Sequence, residues 1–388
     1  MRLRIGLLLA GVALSAALAS AQTPALITSW TTQTAIYPTG FAAQMHGAVY
    51  SGDSIYVFGG NNATDGDTRK SWRLRVNKYN GQIYQSDALT DLPANGTQRY
   101  AYINAQTVTT NSVVYIAGGG WNTGGPNRNV TTIVKINNGT GVIDTITTSL
   151  FPSPYDPELG GAAITSAGYF YAWAGDSQSG TPVTYDTCVV AKIQPNGDLG
   201  AFSTTLPVPD PDATGLTGWW FPSACSVGNY VISGVGIPNS SQLNADAINK
   251  VYVASTNPAT GAITSWTEQT TAPLPINLYG AELVAVNDTV FCIAGRTNGG
   301  AAQNVVYRST FNTSTGTLGP WTIVDAQLPS ATHYQEALYS PDSRSIYVLA
   351  PRTPATGTTP QNQVFISSPL FPRDPIPLAA EKEWSLYE

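Results

Sequence analysis

The sequence predicts an all-β fold built from six similar four-stranded sheets. Three observations support this fold class: an apolar phrase that recurs six times, strand-forming runs separated by turn residues, and the two ends of the chain. A segment before the first repeat resembles a fourth strand, and the last repeat has no fourth strand of its own. A recurring period of several tens of residues is typical of repeat architectures. The chain is therefore expected to form one array of repeated units.

The recurring phrase is a short apolar run that ends in small residues, as in Ile55-Tyr56-Val57-Phe58-Gly59-Gly60. Successive copies are separated by 59, 56, 59, 61 and 56 residues, counted between their central aromatic residues. These aromatic residues are Tyr56, Tyr115, Tyr171, Tyr230, Phe291 and Tyr347. Because β-branched and aromatic residues favour strands, each copy predicts one strand of a repeat.

Each repeat divides into four strand-like runs, which in the fifth repeat are residues 281–286, 289–294, 304–311 and 317–323. Tight links join the first run to the second and the third to the fourth. The latter links contain pairs such as Asn80-Gly81 and Asn138-Gly139, which supply the positive φ that a hairpin turn needs. The remaining links are long, and no run outside the first 21 residues has helical spacing.

Four strands joined in this way form an up-and-down sheet in which both long links emerge on one side. Six such sheets around an axis make a six-bladed β-propeller. The tight turns then lie on one face of the ring, and the long links form the other, which we call the long-loop face. Because functional residues are concentrated on loops held by a rigid scaffold, we expect function on the long-loop face.

The two ends of the chain predict how the ring closes. Residues 26–34 repeat the fourth-strand phrase of residues 262–270, although they precede the first repeat, and the last repeat has no fourth strand of its own. The N-terminal strand is therefore expected to complete the sixth blade, which removes exposed sheet edges. Residues 22–372 form the predicted propeller, and residues 373–388 are a C-terminal tail.

The first 21 residues have the pattern of a secretory signal peptide. Arg2 and Arg4 precede an apolar run at residues 5–18, and Ala19-Ser20-Ala21 forms a cleavage site before Gln22. The apolar run is too short to span a membrane, and no later stretch is long enough. We expect a secreted protein (extracellular, at the cell surface or periplasmic) without a membrane span in the mature chain.

The charge pattern excludes one class of partner. The net charge is -6 at pH 7, and the basic residues are scattered, whereas nucleic-acid binding requires clustered Lys and Arg. No nucleic-acid partner is expected. The acidic pairs near Asp65 and Asp210 complete no calcium-binding loop, and the sequence has no C-x-x-C or H-E-x-x-H motif. No cofactor or metal is predicted.

The cysteines are Cys188, Cys225 and Cys292, each in an apolar run. An odd number of cysteines outside the cytoplasm leaves at least one free thiol. The pattern favours three small buried apolar residues. One bridge, between Cys188 and Cys225, is the alternative.

The repeats resemble kelch repeats. The resemblance rests on an apolar strand ending in Gly-Gly and on a Gly turn followed by Trp, as in Gly261 with Trp266 and Gly316 with Trp321. It covers nearly the whole mature chain, but paired glycines occur in only the first two phrases. The chain is thus similar to a divergent, galactose-oxidase-like bacterial propeller. Secreted kelch-type propellers include a copper oxidase of galactose, a sialic acid mutarotase and many binding proteins, so the resemblance implies a fold and selects no activity.

The chain has only two histidines, and each lies just before the first strand of a blade. His46 precedes blade 1 and His333 precedes blade 6, which are neighbours once the ring closes. Two adjacent imidazoles can bind a metal or act as acid and base. The alternative is that each caps a strand. Copper-oxidase chemistry is not expected, because no cysteine lies at a long-loop position.

Aromatic and charged residues occupy the corresponding positions of other blades. The candidate ligand-binding residues are Tyr100, Glu158, Trp219, Trp220, Tyr279 and Tyr334. Aromatic rings stack on the C–H faces of sugars while polar neighbours bind the hydroxyls. The competing interpretation is that these aromatic residues pack between blades.

The leading functional prediction is a binding module on the long-loop face whose partner is a glycan, another cell-surface component or an extracellular protein. One alternative is a sugar-acting enzyme of the mutarotase or lyase kind. A second alternative is a structural surface protein. The candidate catalytic residues are His46, His333, Glu336 and Arg99, and Glu158 and Glu282 are further possible acid or base groups.

Overall fold

The structure is a computed structural model that describes residues 24, 26–34, 36–37, 46–62, 66–93, 104–108, 112–117, 130–137, 139–152, 160–175, 185–211, 219–238, 247–349 and 362–372. The predicted signal peptide, the C-terminal tail and the candidate residues Arg99, Tyr100 and Glu158 lie outside these residues. Within the described ranges there is no helix long and apolar enough to cross a membrane.

The described strands form six antiparallel four-stranded sheets, which confirms the predicted all-β, six-bladed propeller. In blades 1 to 3 the strands, from the first to the fourth, are Gly47–Ser51, Ser54–Phe58, Ser71–Val76 and Ile83–Ala88; Asn104–Val108, Val113–Ala117, Val130–Ile136 and Ile143–Leu150; and Gly161–Ile164, Tyr169–Trp173, Cys188–Lys192 and Ser203–Thr205. A short hairpin of Asn61–Asn62 and Gly66–Asp67 extends blade 1.

In blades 4 to 6 the strands are Ser223–Val227, Tyr230–Gly234, Val251–Thr256 and Ile263–Glu268; Glu282–Val286, Thr289–Ile293, Val306–Asn312 and Thr317–Leu318 with Thr322–Ile323; and Glu336–Ser340, Ser345–Leu349, Gln363–Ser367 and Trp30–Thr34. The first strand of each blade is the inner strand, and each inner strand packs against those of the two neighbouring blades. Blade 6 packs against blade 1 in this way, so the ring is closed.

The N-terminal strand completes blade 6, as predicted. Trp30–Thr34 pairs with Gln363–Ser367, with Trp30 opposite Ser367. The Trp30 indole donates to the Ala326 carbonyl of blade 5 at 3.1 Å. The Gln33 side chain accepts a hydrogen bond from the Ile83 amide at 2.9 Å and donates to the Ile83 carbonyl of blade 1. One strand therefore connects three blades.

The tyrosine of the recurring phrase also connects neighbouring blades. Its hydroxyl donates to a glycine carbonyl in the tight turn between the third and fourth strands of the next blade. These bonds are Tyr56 to Gly141 at 3.4 Å, Tyr115 to Gly197 at 2.8 Å, Tyr171 to Gly261 at 2.7 Å and Tyr347 to Gly81 at 2.5 Å. The last bond runs from blade 6 to blade 1, so the repeated tyrosine also contributes to ring closure.

The two exceptions to this pattern have structural explanations. Phe291 of blade 5 faces blade 6, whose fourth strand comes from the N-terminus, so no third-to-fourth turn is there to accept a bond. In blade 4, strand register places Ile232 opposite Cys225, just as Tyr56 lies opposite Val49. The alignment of Tyr230 with the other aromatic residues was therefore wrong by two residues.

We expect Tyr171→Phe to lower the free energy of unfolding by about 1 kcal/mol, because it removes one buried hydrogen bond while keeping the ring. Urea unfolding monitored by circular dichroism measures the difference. Tyr84→Phe is the matched control, since Tyr84 is 59% exposed, and a change within about 0.5 kcal/mol is expected there. Equal stability of Tyr171→Phe and the parent would show that the Gly261 carbonyl bond contributes nothing.

The tight turns between third and fourth strands contain a glycine with positive φ, as predicted, but in blade 2 it is not the glycine of the Asn138-Gly139 pair. In blade 4 the amide of Gly261 donates to the carbonyl of Asn257, four residues earlier, at 2.7 Å. The same five-residue turn joins Asn137 to Gly141 in blade 2, so Gly141, with φ of 70°, takes the place predicted for Gly139. Glycine is required because φ is positive and a Cβ atom would collide with the side chain of the preceding blade.

The three cysteines are buried and free. This confirms the prediction that they are small apolar residues of the interior. The alternative bridge between Cys188 and Cys225 is not formed. Cys225 and Cys292 instead belong to one apolar cluster between blades 4 and 5.

Candidate functional site

The inner strands surround a central channel that contains a cavity of about 350 Å³. Its lining includes Glu282 and Glu336 from the neighbouring blades 5 and 6, and Gln106, Thr107 and Ser226 from blades 2 and 4. Among the described residues that line it, none is Lys, Arg or His. The channel is therefore acidic, and a solute inside it would meet carboxyl, hydroxyl and amide groups.

The two glutamates occupy the same position in consecutive blades. The first residues of the six inner strands form one level of the channel, at the end where these strands begin. These residues are Gly47, Asn104, Gly161, Ser223, Glu282 and Glu336. Because the long links lead into the inner strands, this upper end of the channel is the end nearer the long-loop face.

A serine from blade 4 fixes the Glu282 carboxyl. The Ser223 hydroxyl accepts a hydrogen bond from the Leu283 amide at 2.6 Å and donates to Glu282 Oε1 at 3.3 Å. Burial raises the pKa of Glu282 to about 8, although the hydrogen bonds from Ser223 and Leu283 oppose this shift. Burial costs the charged form more than two hydrogen bonds restore.

Glu336 is perturbed in the same direction. Burial raises its pKa well above the ordinary value, the Glu282 charge raises it further, and a hydrogen bond from the Ala48 amide opposes both effects. Two carboxyls that repel each other in one cavity release their protons in two coupled steps. At neutral pH the pair therefore retains a proton, so it offers both a donor and acceptors.

A tyrosine belongs to the same electrostatic environment. Burial, followed by the charge of Glu336, raises the pKa of Tyr37. Tyr37 follows the closing strand and is held by Asn362, whose Oδ1 accepts from the Tyr37 amide at 2.8 Å. Its phenol therefore keeps its proton. The sequence did not single out Tyr37 or Ser223, because only ring closure and strand register bring them near the glutamates.

The structure places both histidines before the inner strands of neighbouring blades, as predicted. His46 is 1% exposed and His333 is 4% exposed, and the His333 ring packs against Tyr334 with centroids 4.7 Å apart. Neither histidine lines the cavity. No group of three metal-ligating side chains occurs among the described residues. A catalytic role for either histidine stays a prediction.

Trp219 lies in the interior between blades 3 and 4. It is fully buried, packs edge-on against Tyr252 with centroids 5.3 Å apart, and donates its indole N–H to the Pro209 carbonyl at 3.1 Å. This geometry favours the packing interpretation for Trp219. Its role in ligand binding has no further support.

The other three described aromatic candidates form one cluster above blades 4, 5 and 6. Trp220, Tyr279 and Tyr334 pack together there with Phe221, a residue that was not singled out in the sequence. Tyr334 and Phe221 are stacked with centroids 5.0 Å apart, and Arg296 lies over the Tyr279 ring at 5.7 Å. The structure therefore brings these aromatic residues together and separates them from Trp219.

Comparisons with known proteins support the fold. No family model matches the chain, and no curated protein sequence matches it. Among solved structures, "Structure of YjhT" is similar with a TM-score of 0.59 and 13% sequence identity, over 85% of this chain and 96% of that one. At this identity the similarity supports the β-propeller fold alone. Membership of the kelch family stays a prediction.

Proposed function

We propose that this protein is a secreted binding module that takes up carbohydrate at the upper end of the channel, with Glu282 and Glu336 as its polar contacts. The observation that carries the proposal is the pair of carboxyls that line a cavity of about 350 Å³. A pair that retains one proton donates to one sugar hydroxyl and accepts from its neighbour. Small-ligand sites combine a concave cavity with a few convergent polar groups in this way.

The charge of the cavity limits the class of sugar. Two carboxyls and no described basic residue line it, so the negative charge of an acidic sugar would have no cation to balance it there. Neutral sugars and amino sugars are therefore the proposed ligands, either free or at the ends of cell-surface glycans. A secreted protein, as the signal-peptide pattern predicts, would meet such glycans.

A glycan array that presents neutral, amino and acidic sugars tests this proposal on residues 22–388. We expect neutral or amino sugars to bind, and we expect Glu282→Gln/Glu336→Gln to weaken binding at least tenfold while remaining folded. Asp198→Asn is the matched control, because Asp198 pairs with Lys135 at 2.7 Å away from the channel. Undiminished binding by the folded double variant, or a preference for acidic sugars, would contradict the proposal.

The same pair favours an enzyme as the second candidate function. A proton-bearing carboxyl beside a carboxylate is the arrangement that general acid and base catalysis uses. A mutarotase or lyase-like reaction of the bound sugar is then expected to be lost in Glu336→Gln while binding persists. Polarimetry of an array-positive sugar measures anomer exchange. If the parent protein binds a sugar without turning it over, the binding-module function is retained and the enzyme is excluded. If it neither binds nor turns over any sugar, a structural role is favoured.

A further inference from the structure

We propose that Phe221 and Tyr334 form an aromatic roof over Glu282 that contacts the sugar ring, and that Phe221 is a specificity-determining residue of this site. The inference rests on the proposed function and adds the surface that would face the apolar side of the ligand. It starts from the backbone. Phe221 and Tyr334 have φ values of 56° and 54°, which bulky L residues rarely adopt.

The strained position recurs in three consecutive blades. Phe221, Gly280 and Tyr334 each lie two residues before an inner strand begins, and Gly280 has φ of 58°. Blade 5 therefore makes the same turn with glycine, which adopts this conformation without steric cost. The turn itself does not require an aromatic side chain. Strain of this kind persists at functional sites, where a side chain must be held in one place.

The two rings meet above blade 5. The Tyr334 amide donates to the Gly280 carbonyl at 3.0 Å, and a Cβ atom on Gly280 would lie 2.7 Å from the Tyr334 ring. Tyr334 therefore crosses from blade 6 over Gly280 and stacks on Phe221 of blade 4 at an interplanar angle of 29°. The absence of a side chain at Gly280 makes this crossing possible.

The roof lies close to the acidic pair. Glu282 follows Gly280 by two residues, a chain separation of no more than roughly 7 Å. The roof is supported by Trp220, whose ring centroid is 4.6 Å from that of Phe221, and by Tyr279, at 6.2 Å from Tyr334. Neither ring lines the cavity itself, so the roof would lie above the level of the two carboxyls. Aromatic rings on one side and carboxyls on the other would match the two sides of a pyranose, which has apolar C–H faces and polar hydroxyl edges.

Phe221→Gly separates a ligand contact from a packing role. Glycine relieves the strain at φ of 56°, so the variant is expected to melt within a few degrees of the parent, while affinity for its best neutral ligand falls at least tenfold. The probes are methyl glucoside, galactoside and mannoside, measured by calorimetry. Phe221→Tyr keeps the ring and should bind within threefold of the parent. A lower melting temperature with unchanged affinity would assign Phe221 to packing and overturn the proposal.

Comparison with Glu282→Gln/Glu336→Gln distinguishes this inference from the proposed function. If the double variant loses binding and Phe221→Gly does not, the roof is refuted and the acidic site stands. If Phe221→Gly loses binding and the double variant does not, the roof stands without the carboxyl contacts. If the parent binds none of the three glycosides, both are overturned for neutral sugars. Gly280→Ala, which would displace the Tyr334 ring, should repeat the loss caused by Phe221→Gly.

Discussion

Removal of residues 22–36 is expected to lower the melting temperature by roughly 10 °C or more, and to leave part of the protein unfolded at 37 °C. The deletion removes the strand Trp30–Thr34 and its pairing with Gln363–Ser367. It also exposes the cavity left by Ile27 and Ile36, which are 0% and 3% exposed. With about 2 kcal/mol for each isoleucine and about 1 kcal/mol for each lost hydrogen bond, the loss approaches the total stability of many proteins.

The position of this strand, rather than its composition, explains the expected loss. A chain that begins at Tyr37 and carries residues 24–36 after Pro372 through a flexible Gly/Ser linker restores the same contacts with another connectivity. We expect this permuted chain to melt close to the parent. Differential scanning calorimetry compares the three proteins. A truncated chain that kept the parent melting temperature would contradict ring closure. If closure is lost as expected, the Gln363–Ser367 strand becomes an unpaired sheet edge, which should promote self-association of the truncated chain.

Ring closure was predictable because residues 26–34 and 262–270 share a phrase whose tryptophans have the same role. Trp266 donates its indole N–H to the Leu206 carbonyl of the preceding blade at 3.2 Å, and Trp30 makes the corresponding bond to Ala326. A local sequence pattern that specifies a contact with the neighbouring blade is visible without a structure. The positions of the tight turns were likewise predicted from local residue pairs, whereas the hydrogen bonds within these turns were not predicted.

The register of blade 4 was not predictable from the apolar pattern. Side chains alternate across a strand with a period of two, so a shift of two residues keeps every side chain on the same face. Choosing Tyr230 instead of Ile232 therefore preserved the apolar pattern and the aromatic anchor together. Only the pairing with Ser223–Val227 distinguishes the two alignments.

The candidate site was predictable in part. Glu336 was selected because it lies at the beginning of a blade, and Glu282 was named as a further acid or base group. Their pairing depends on which blades are adjacent and how deeply the inner strands lie, which are properties of the closed ring. The positive φ of Phe221 is likewise set by the turn of the folded blade. No single residue near Phe221 signals it.

The free energy of unfolding is expected to decrease as the pH rises from about 5 to about 8, and Glu282→Gln/Glu336→Gln is expected to remove most of this decrease. The pKa of Glu282 is about 8 in the folded protein, above its ordinary value of 4.5. Between these two pKa values the unfolded chain releases a proton that the folded protein retains. The group therefore makes its whole contribution to the free energy of unfolding below the lower pKa, and this contribution falls by about 1.4 kcal/mol per pH unit between the two values for each such group. Urea unfolding at pH 5, 6.5 and 8 measures the slope.

The neutral double variant should be more stable than the parent at pH 8 and similar to it at pH 5, because glutamine imitates the protonated carboxyl. Burial keeps the pKa values of Tyr37, Cys225 and Cys292 above this range. Asp198→Asn should retain the parent slope, since a hydrogen bond from Lys135 lowers the pKa of Asp198 and its contribution is lost only in acid. Parallel curves for parent and double variant would mean that the pair is ionised at neutral pH. They would also remove the retained proton on which donation to a sugar hydroxyl depends.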